Sequence, residues 1–135
     1  TVLAEREGAQ LDILCAWQTI SEATLSGPRL HMNDAEIATY QLEQKTIHQK
    51  WLDELLEPFQ DLSVNMKTHL IKGIAHKVIL DFIEKNGIDL LIMGTVARTG
   101  IPGLIVGNTA ESVLGNVKTA VLTVKPPGFK TPVSH

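Results

Sequence analysis

Asp89-Leu-Leu-Ile-Met-Gly-Thr-Val-Ala-Arg-Thr-Gly-Ile-Pro-Gly-Leu-Ile-Val-Gly-Asn-Thr-Ala-Glu111 begins as an apolar strand, crosses a glycine-rich loop and enters a helix near Asn108. In an open α/β sheet, ligands collect outside the carboxyl ends of the strands, so a loop of this kind is a candidate binding segment. Gly94, Gly100, Gly103 and Gly107 allow the backbone to approach a ligand closely, and the first amides after Gly107 would face an anion. Between Gly94 and Ala110 the only charge is Arg98, so a phosphate here would rest on backbone amides, the hydroxyls of Thr95 and Thr109, and that arginine. A structural reading competes with this one. Asn108 followed three residues later by Glu111 has the spacing of a capping box, which would satisfy the helix's own amides. Neither GxxxxGK[ST] nor GxGxxG is present, so the loop is not a P-loop or a dinucleotide fingerprint.

Outward from this loop the chain alternates strands and helices. Leu11–Trp17, Ser63–Leu70, Asp89–Met93 and Ala120–Val124 read as strands. The last two are nearly all apolar, which suits strands covered on both faces, whereas Val64, Met66, Thr68 and Leu70 alternate with polar residues as on an outer strand. Ile37, Tyr40, Gln44, Ile47, Trp51 and Leu55 recur at steps of three and four, predicting a long helix from Asn33 or Asp34 that Pro58 limits. Ile74, Val78, Ile79, Phe82 and Ile83 predict a second helix stopped at Asn86-Gly87. Thr1 to Glu7, followed by Gly8, reads as the end of a helix, and a doubly wound domain would place a strand ahead of it. The expected fold is therefore α/β with a parallel sheet and right-handed crossovers, the chain being a fragment without its first strand. Residues 1–125 form one domain in this reading, and residues 126–135, opening on Pro126-Pro127-Gly128, form a tail.

Composition sets further bounds. The chain has 135 residues, 44% hydrophobic and 20% charged, with 10 Gly and 6 Pro, which describes one globular domain. Twelve basic against fifteen acidic residues give a net charge of −3, without the Lys/Arg cluster that tracks a nucleic-acid backbone. No apolar run approaches a membrane span, and no secretory signal is evident, so a cytoplasmic chain is expected. Cys15 is the single cysteine and reads as an inert thiol in an apolar strand. His31, His48, His69 and His76 lack ligand spacing and read as surface or half-buried side chains. Trp17 and Trp51 are expected at the margin of the core. Lys72-Gly73, after the second strand, could reach a phosphate or be an ordinary turn. No nucleophile motif or catalytic centre is evident. The final strand, through Val121, Leu122, Thr123 and Val124, is an apolar edge expected to pair with another strand.

Asp89-Leu-Leu-Ile-Met-Gly-Thr95, Gly107-Asn-Thr109 and Ala120-Val-Leu-Thr-Val-Lys125, together with Ala9-Gln-Leu-Asp-Ile-Leu-Cys-Ala-Trp17 and Gly87-Ile-Asp-Leu90, resemble the universal stress protein family over nearly the whole chain. The resemblance implies an open, parallel, five-stranded Rossmann-like sheet of the adenine nucleotide alpha hydrolase type. Nucleotide-binding members carry Gly, two residues, Gly, nine residues, Gly, then Ser or Thr. Here the same spacing runs Gly94, Ala97, Gly107, Asn108, so two of the four positions differ. The resemblance implies ATP or a related adenine nucleotide as ligand, its phosphates wrapped by Gly94, Ala97, Gly107 and Asn108 and its adenine against Ala16; Met93, Thr95, Arg98 and Thr109 complete the candidate binding set from the loop itself. The sequence itself requires no metal and supports at most a weak ATPase activity, and the alternative is a structural or dimerisation domain without nucleotide, or a binder of another small molecule. Gly94-Thr-Val-Ala-Arg-Thr-Gly-Ile-Pro-Gly103 is similar to the second domain of tandem members, which implies pairing of the last strand either with the tandem partner domain or in a homodimer.

Overall fold

The computed structural model describes residues 1–95 and 107–125. It divides into two compact units, residues 1–74 and residues 75–135, and each holds one parallel strand pair. The described residues thus carry four strands, in the α/β class expected, rather than the five of a complete sheet. The predicted tail, residues 126–135, lies outside the described residues.

In the first unit α1 (Val2–Glu7) ends at Gly8, whose φ of 59° is the left-handed conformation that glycine adopts without strain. β1 (Leu11–Trp17) follows, then a short α2 (Glu22–Leu25), the long α3 (Asp34–Leu56) and β2 (Met66–Lys72). The two strands pair in parallel from Leu11↔Met66 to Trp17↔Lys72. β2 therefore starts and ends later than the Ser63–Leu70 predicted. Ser63 is turned to α1, its hydroxyl donating to the Glu5 carboxylate at 3.3 Å, and the ladder continues to Lys72 because β1 runs to Trp17. Asn33 caps α3 in a complete capping box with Glu36, and a 3-10 turn at Glu57–Phe59, carrying Pro58, closes it.

The apolar face of α3 is rotated from the one expected. Ile37 is buried as predicted, but it is joined by Leu52 and Leu56, while Ile47, Trp51 and Leu55 are exposed. The cause is the seating of His48, whose ring lies 5.6 Å from that of Trp17. Turning His48 toward the strand end moves the 47, 51, 55 row outward. Trp17 is buried, 6% exposed, yet Trp51 is 61% exposed and does not cap the core. α2 was not legible from periodicity, though its Leu25 is among the most completely buried side chains and Ser21 caps it.

Asp12 and His69 tie β1 to β2, with Oδ1 and Nε2 2.8 Å apart, and the Gln10 amide donates to Asp12 Oδ2 at 2.7 Å. Burial works against the Asp12 charge, but the hydrogen bonds from Gln10 and His69, with the charges of His69 and Lys67, outweigh it and hold the carboxyl below its ordinary value. A depressed folded-state pKa contributes stability that is present above the ordinary value of 3.8 and lost as pH falls through the folded one. Asp12→Asn is accordingly expected to flatten the decline in urea midpoint below about pH 4. Parallel acid profiles for the two proteins would contradict this. On Cys15, burial pushes the thiol up, as suits an inert side chain.

The second unit runs α4 (Ala75–Asn86), β3 (Leu90–Gly94), α5 (Asn108–Leu114) and β4 (Ala120–Val124). α4 buries Phe82 and stops where expected, at Gly87 with φ 59°. β3 starts one residue later than predicted because the Ile88 and Asp89 carbonyls accept the Thr119 hydroxyl, at 2.7 and 2.9 Å. β4 has the predicted bounds, and β3 and β4 pair in parallel from Leu90↔Ala120 to Gly94↔Val124. α4 packs on α5, which inserts Ala110 and the wholly buried Val113. The expected covering of both sheet faces is not found: Leu90, Ile92, Leu122 and Val124 are exposed, while their alternates Leu91, Met93 and Val121 are half-buried. Period-two alternation thus divides these apolar strands into a covered and an open face.

Candidate functional site

β3 delivers Met93 and Gly94 to the carboxyl end of the sheet, with Thr95 directly beyond. Met93 is half-buried and registers with Thr123, and Gly94 is exposed and registers with Val124. Thr95 is 6% exposed, and among the described residues its hydroxyl has no hydrogen-bond partner. Its carbonyl accepts the Gly107 amide at 2.6 Å. That bond brings the two ends of the glycine-rich loop together, so Gly94, Thr95, Gly107, Asn108 and Thr109 gather at one strand end. Among the described residues, an added Cβ at Gly94 would meet only the Val124 carbonyl, at an ordinary 3.9 Å.

The entrance to α5 differs from the predicted capping box. Gly107, not a side-chain donor or acceptor, is the N-cap, and no side-chain bond caps the helix. Asn108 is instead the first helical residue, and it and Thr109 are exposed. The shift follows from the Gly107–Thr95 bond, which fixes Gly107 in an extended conformation with ψ 156° and starts the helix immediately after it. The structural alternative weighed for this loop therefore loses its main support. Ala97 and Arg98 lie outside the described residues. Ala16, in the other unit, is a half-buried member of β1 registered with Ile71.

The other candidates sort by surroundings. His69 is half-buried on Asp12, His48 half-buried against two tryptophans, and His31 exposed with φ 50°. Among the described residues no three His, Cys, Asp or Glu side chains gather to hold a metal ion. None of the helices described is long and apolar enough to cross a membrane.

With a parallel pair on each unit and a loop drawn shut at Thr95 and Gly107, the sequence model of the Universal stress protein family matches residues 2–125. The chain belongs to that family. It is 36% identical over 101 residues to universal stress protein E of Escherichia coli K12, an overlap of 75% of this chain and 29% of that protein. The chain thus spans under a third of the length of the curated relatives of that name, consistent with one domain of a tandem protein. Among solved structures, the MJ0577 protein has a TM-score of 0.66 at 19% identity, covering 95% of this chain and 89% of that one, a likeness of fold alone. The PA1789 protein of Pseudomonas aeruginosa PAO1 has a TM-score of 0.59 at 26% identity, covering 93% of this chain and 37% of that one.

Proposed function

We propose that this universal stress protein domain is a stress-response regulatory module that binds ATP or a related adenine nucleotide, its phosphates resting on the loop that Thr95 and Gly107 draw together. The observation that carries the reading is the buried Thr95 hydroxyl. A buried hydroxyl without a partner is costly and rare, and one placed at a strand end beside an uncapped helix and an open glycine suits a ligand oxygen. Gly94 supplies room, and the exposed Asn108 and Thr109 side chains supply donors. A bound nucleotide would contribute phosphate charge, which these neutral donors hold without a resident metal. Titration of ATP into the wild-type and Thr95→Val proteins tests the reading, as developed below.

The module acts through its last strand. Among the described residues β4 pairs only with β3, which leaves one edge of Val121, Leu122, Thr123 and Val124 open to another strand. The same ladder joins Met93 to Thr123 and Gly94 to Val124, so the strand that carries the loop is paired directly with the strand that carries the edge. The partner is a second copy or the tandem domain. Thr123→Pro, which removes one strand amide, is expected to abolish association in analytical ultracentrifugation. Leu122→Lys, which leaves every strand amide in place and puts a charge at the edge strand, should weaken it as well. Unchanged sedimentation of both variants would contradict the edge assignment.

A further inference from the structure

A second cleft lies entirely within the first unit, at the carboxyl ends of β1 and β2, and nothing in the nucleotide reading uses it. Its volume is about 200 Å³, and its polar lining is Gln18, Thr19, Ser21, Glu22, Lys72 and Gly73. The Gly73 amide donates to the Trp17 carbonyl at 2.8 Å, which closes the ladder and fixes Lys72 beside Trp17. The Lys72 ammonium stands 5.9 Å from the centre of the indole ring. Among the described residues no carboxylate pairs with it, unlike Lys50 and Lys85, each of which has an acidic partner one helical turn away. The Gln18 amide and the Thr19 hydroxyl also lack protein partners among the described residues, and the Trp17 indole nitrogen is buried without one. The single carboxylate of the lining, Glu22, is held by the Gln41 amide at 2.9 Å. Ser21 is likewise engaged, with Thr24.

We infer that this cleft is a binding site for a small oxyanion of the phosphate type, with Lys72 as its charge and Gln18 and Thr19 as its neutral donors. A cation without a carboxylate partner, beside two unpaired donors at the end of parallel strands, is complementary to an anion that accepts several hydrogen bonds at once. The occupant is free phosphate or the phosphate of a small ester, which matches a cleft of about 200 Å³ with one cation and two neutral donors.

The test is amide-resolved NMR of the protein during titration with inorganic phosphate and, separately, with glycerol phosphate. Saturable shifts at Gln18, Thr19 and Gly73 are expected, and Lys72→Met, a change at an exposed side chain, should weaken binding about tenfold or more. Tighter binding of the ester would identify it as the occupant, and equal binding would identify the free ion. Shifts confined to Gly107, Asn108 and Thr109, absence of saturation, or titrations that superimpose for wild type and Lys72→Met would overturn the assignment. Because Thr95 lies outside this cleft, Thr95→Val leaves the response unchanged, so the two sites fail or stand separately.

Discussion

Thr95→Val is expected to make the protein more stable and its nucleotide binding weaker. The two side chains have nearly the same shape, so the substitution removes a buried hydroxyl that has no partner among the described residues and leaves the packing as it was. An unsatisfied buried hydroxyl costs about 1–3 kcal/mol, and the variant should regain about 1 kcal/mol of that in urea unfolding. Losing the same hydroxyl as a donor to a ligand oxygen should raise the ATP dissociation constant about tenfold. Opposite signs for the two measurements separate a residue kept for binding from one kept for structure. A destabilised variant with unchanged binding would show that the hydroxyl serves the fold.

Trp17→Ala is expected to have the largest effect on stability, about 3–5 kcal/mol in chemical unfolding. Trp17 ends β1, is 6% exposed, packs on His48 of α3 at 5.6 Å and lies under the Lys72 ammonium from β2. It therefore holds together the two strands and the crossover helix of its unit, and removing it leaves a cavity that these rigid elements cannot fill. Trp17→Phe, which keeps a ring against His48, should cost much less. Trp51→Ala serves as the contrast, since that ring is 61% exposed and its loss should change stability by about 0.5 kcal/mol. Equal effects of the two alanine variants would contradict the rotation of α3 described above.

Those two tryptophans show where sequence reading succeeds and where it stops. Elements bounded by local chemistry were legible: Gly8 and Gly87 end their helices in the left-handed conformation, Asn33 opens α3, and β4 spans the predicted residues. The face a helix buries was not legible where apolar residues cover more of its circumference than the core can accept. On α3, Ile47, Trp51 and Leu55 compete with His48, Leu52 and Leu56, and a tertiary contact between His48 and Trp17 decides the outcome. α2 was missed because four residues are too short for periodicity, and its one signal was Ser21 followed by Glu22. The continuous apolar character of β3 and β4 suggested two covered faces, but only position in three dimensions determines how much of each is shielded.

At the candidate site, the loop was found from its glycines and spacing, and the hydrogen bond between Gly107 and Thr95 places both predicted residues together. The predicted cap at Asn108 failed because that long-range bond made Gly107 the N-cap. The unsatisfied state of Thr95 had no signature in sequence, since it depends on burial and on which neighbours offer an acceptor. These two features, invisible in the order of residues, are the observations on which the proposed ligand reading of the glycine-rich loop rests.

The most direct measurement is calorimetric titration of ATP into the full-length protein and its Thr95→Val variant. The account predicts saturable heat well below about 1 mM ATP, with affinity reduced about tenfold in the variant. No saturable heat at millimolar ATP, or equal affinity in both proteins, would contradict it and leave the exposed β4 edge as the functional feature of the domain.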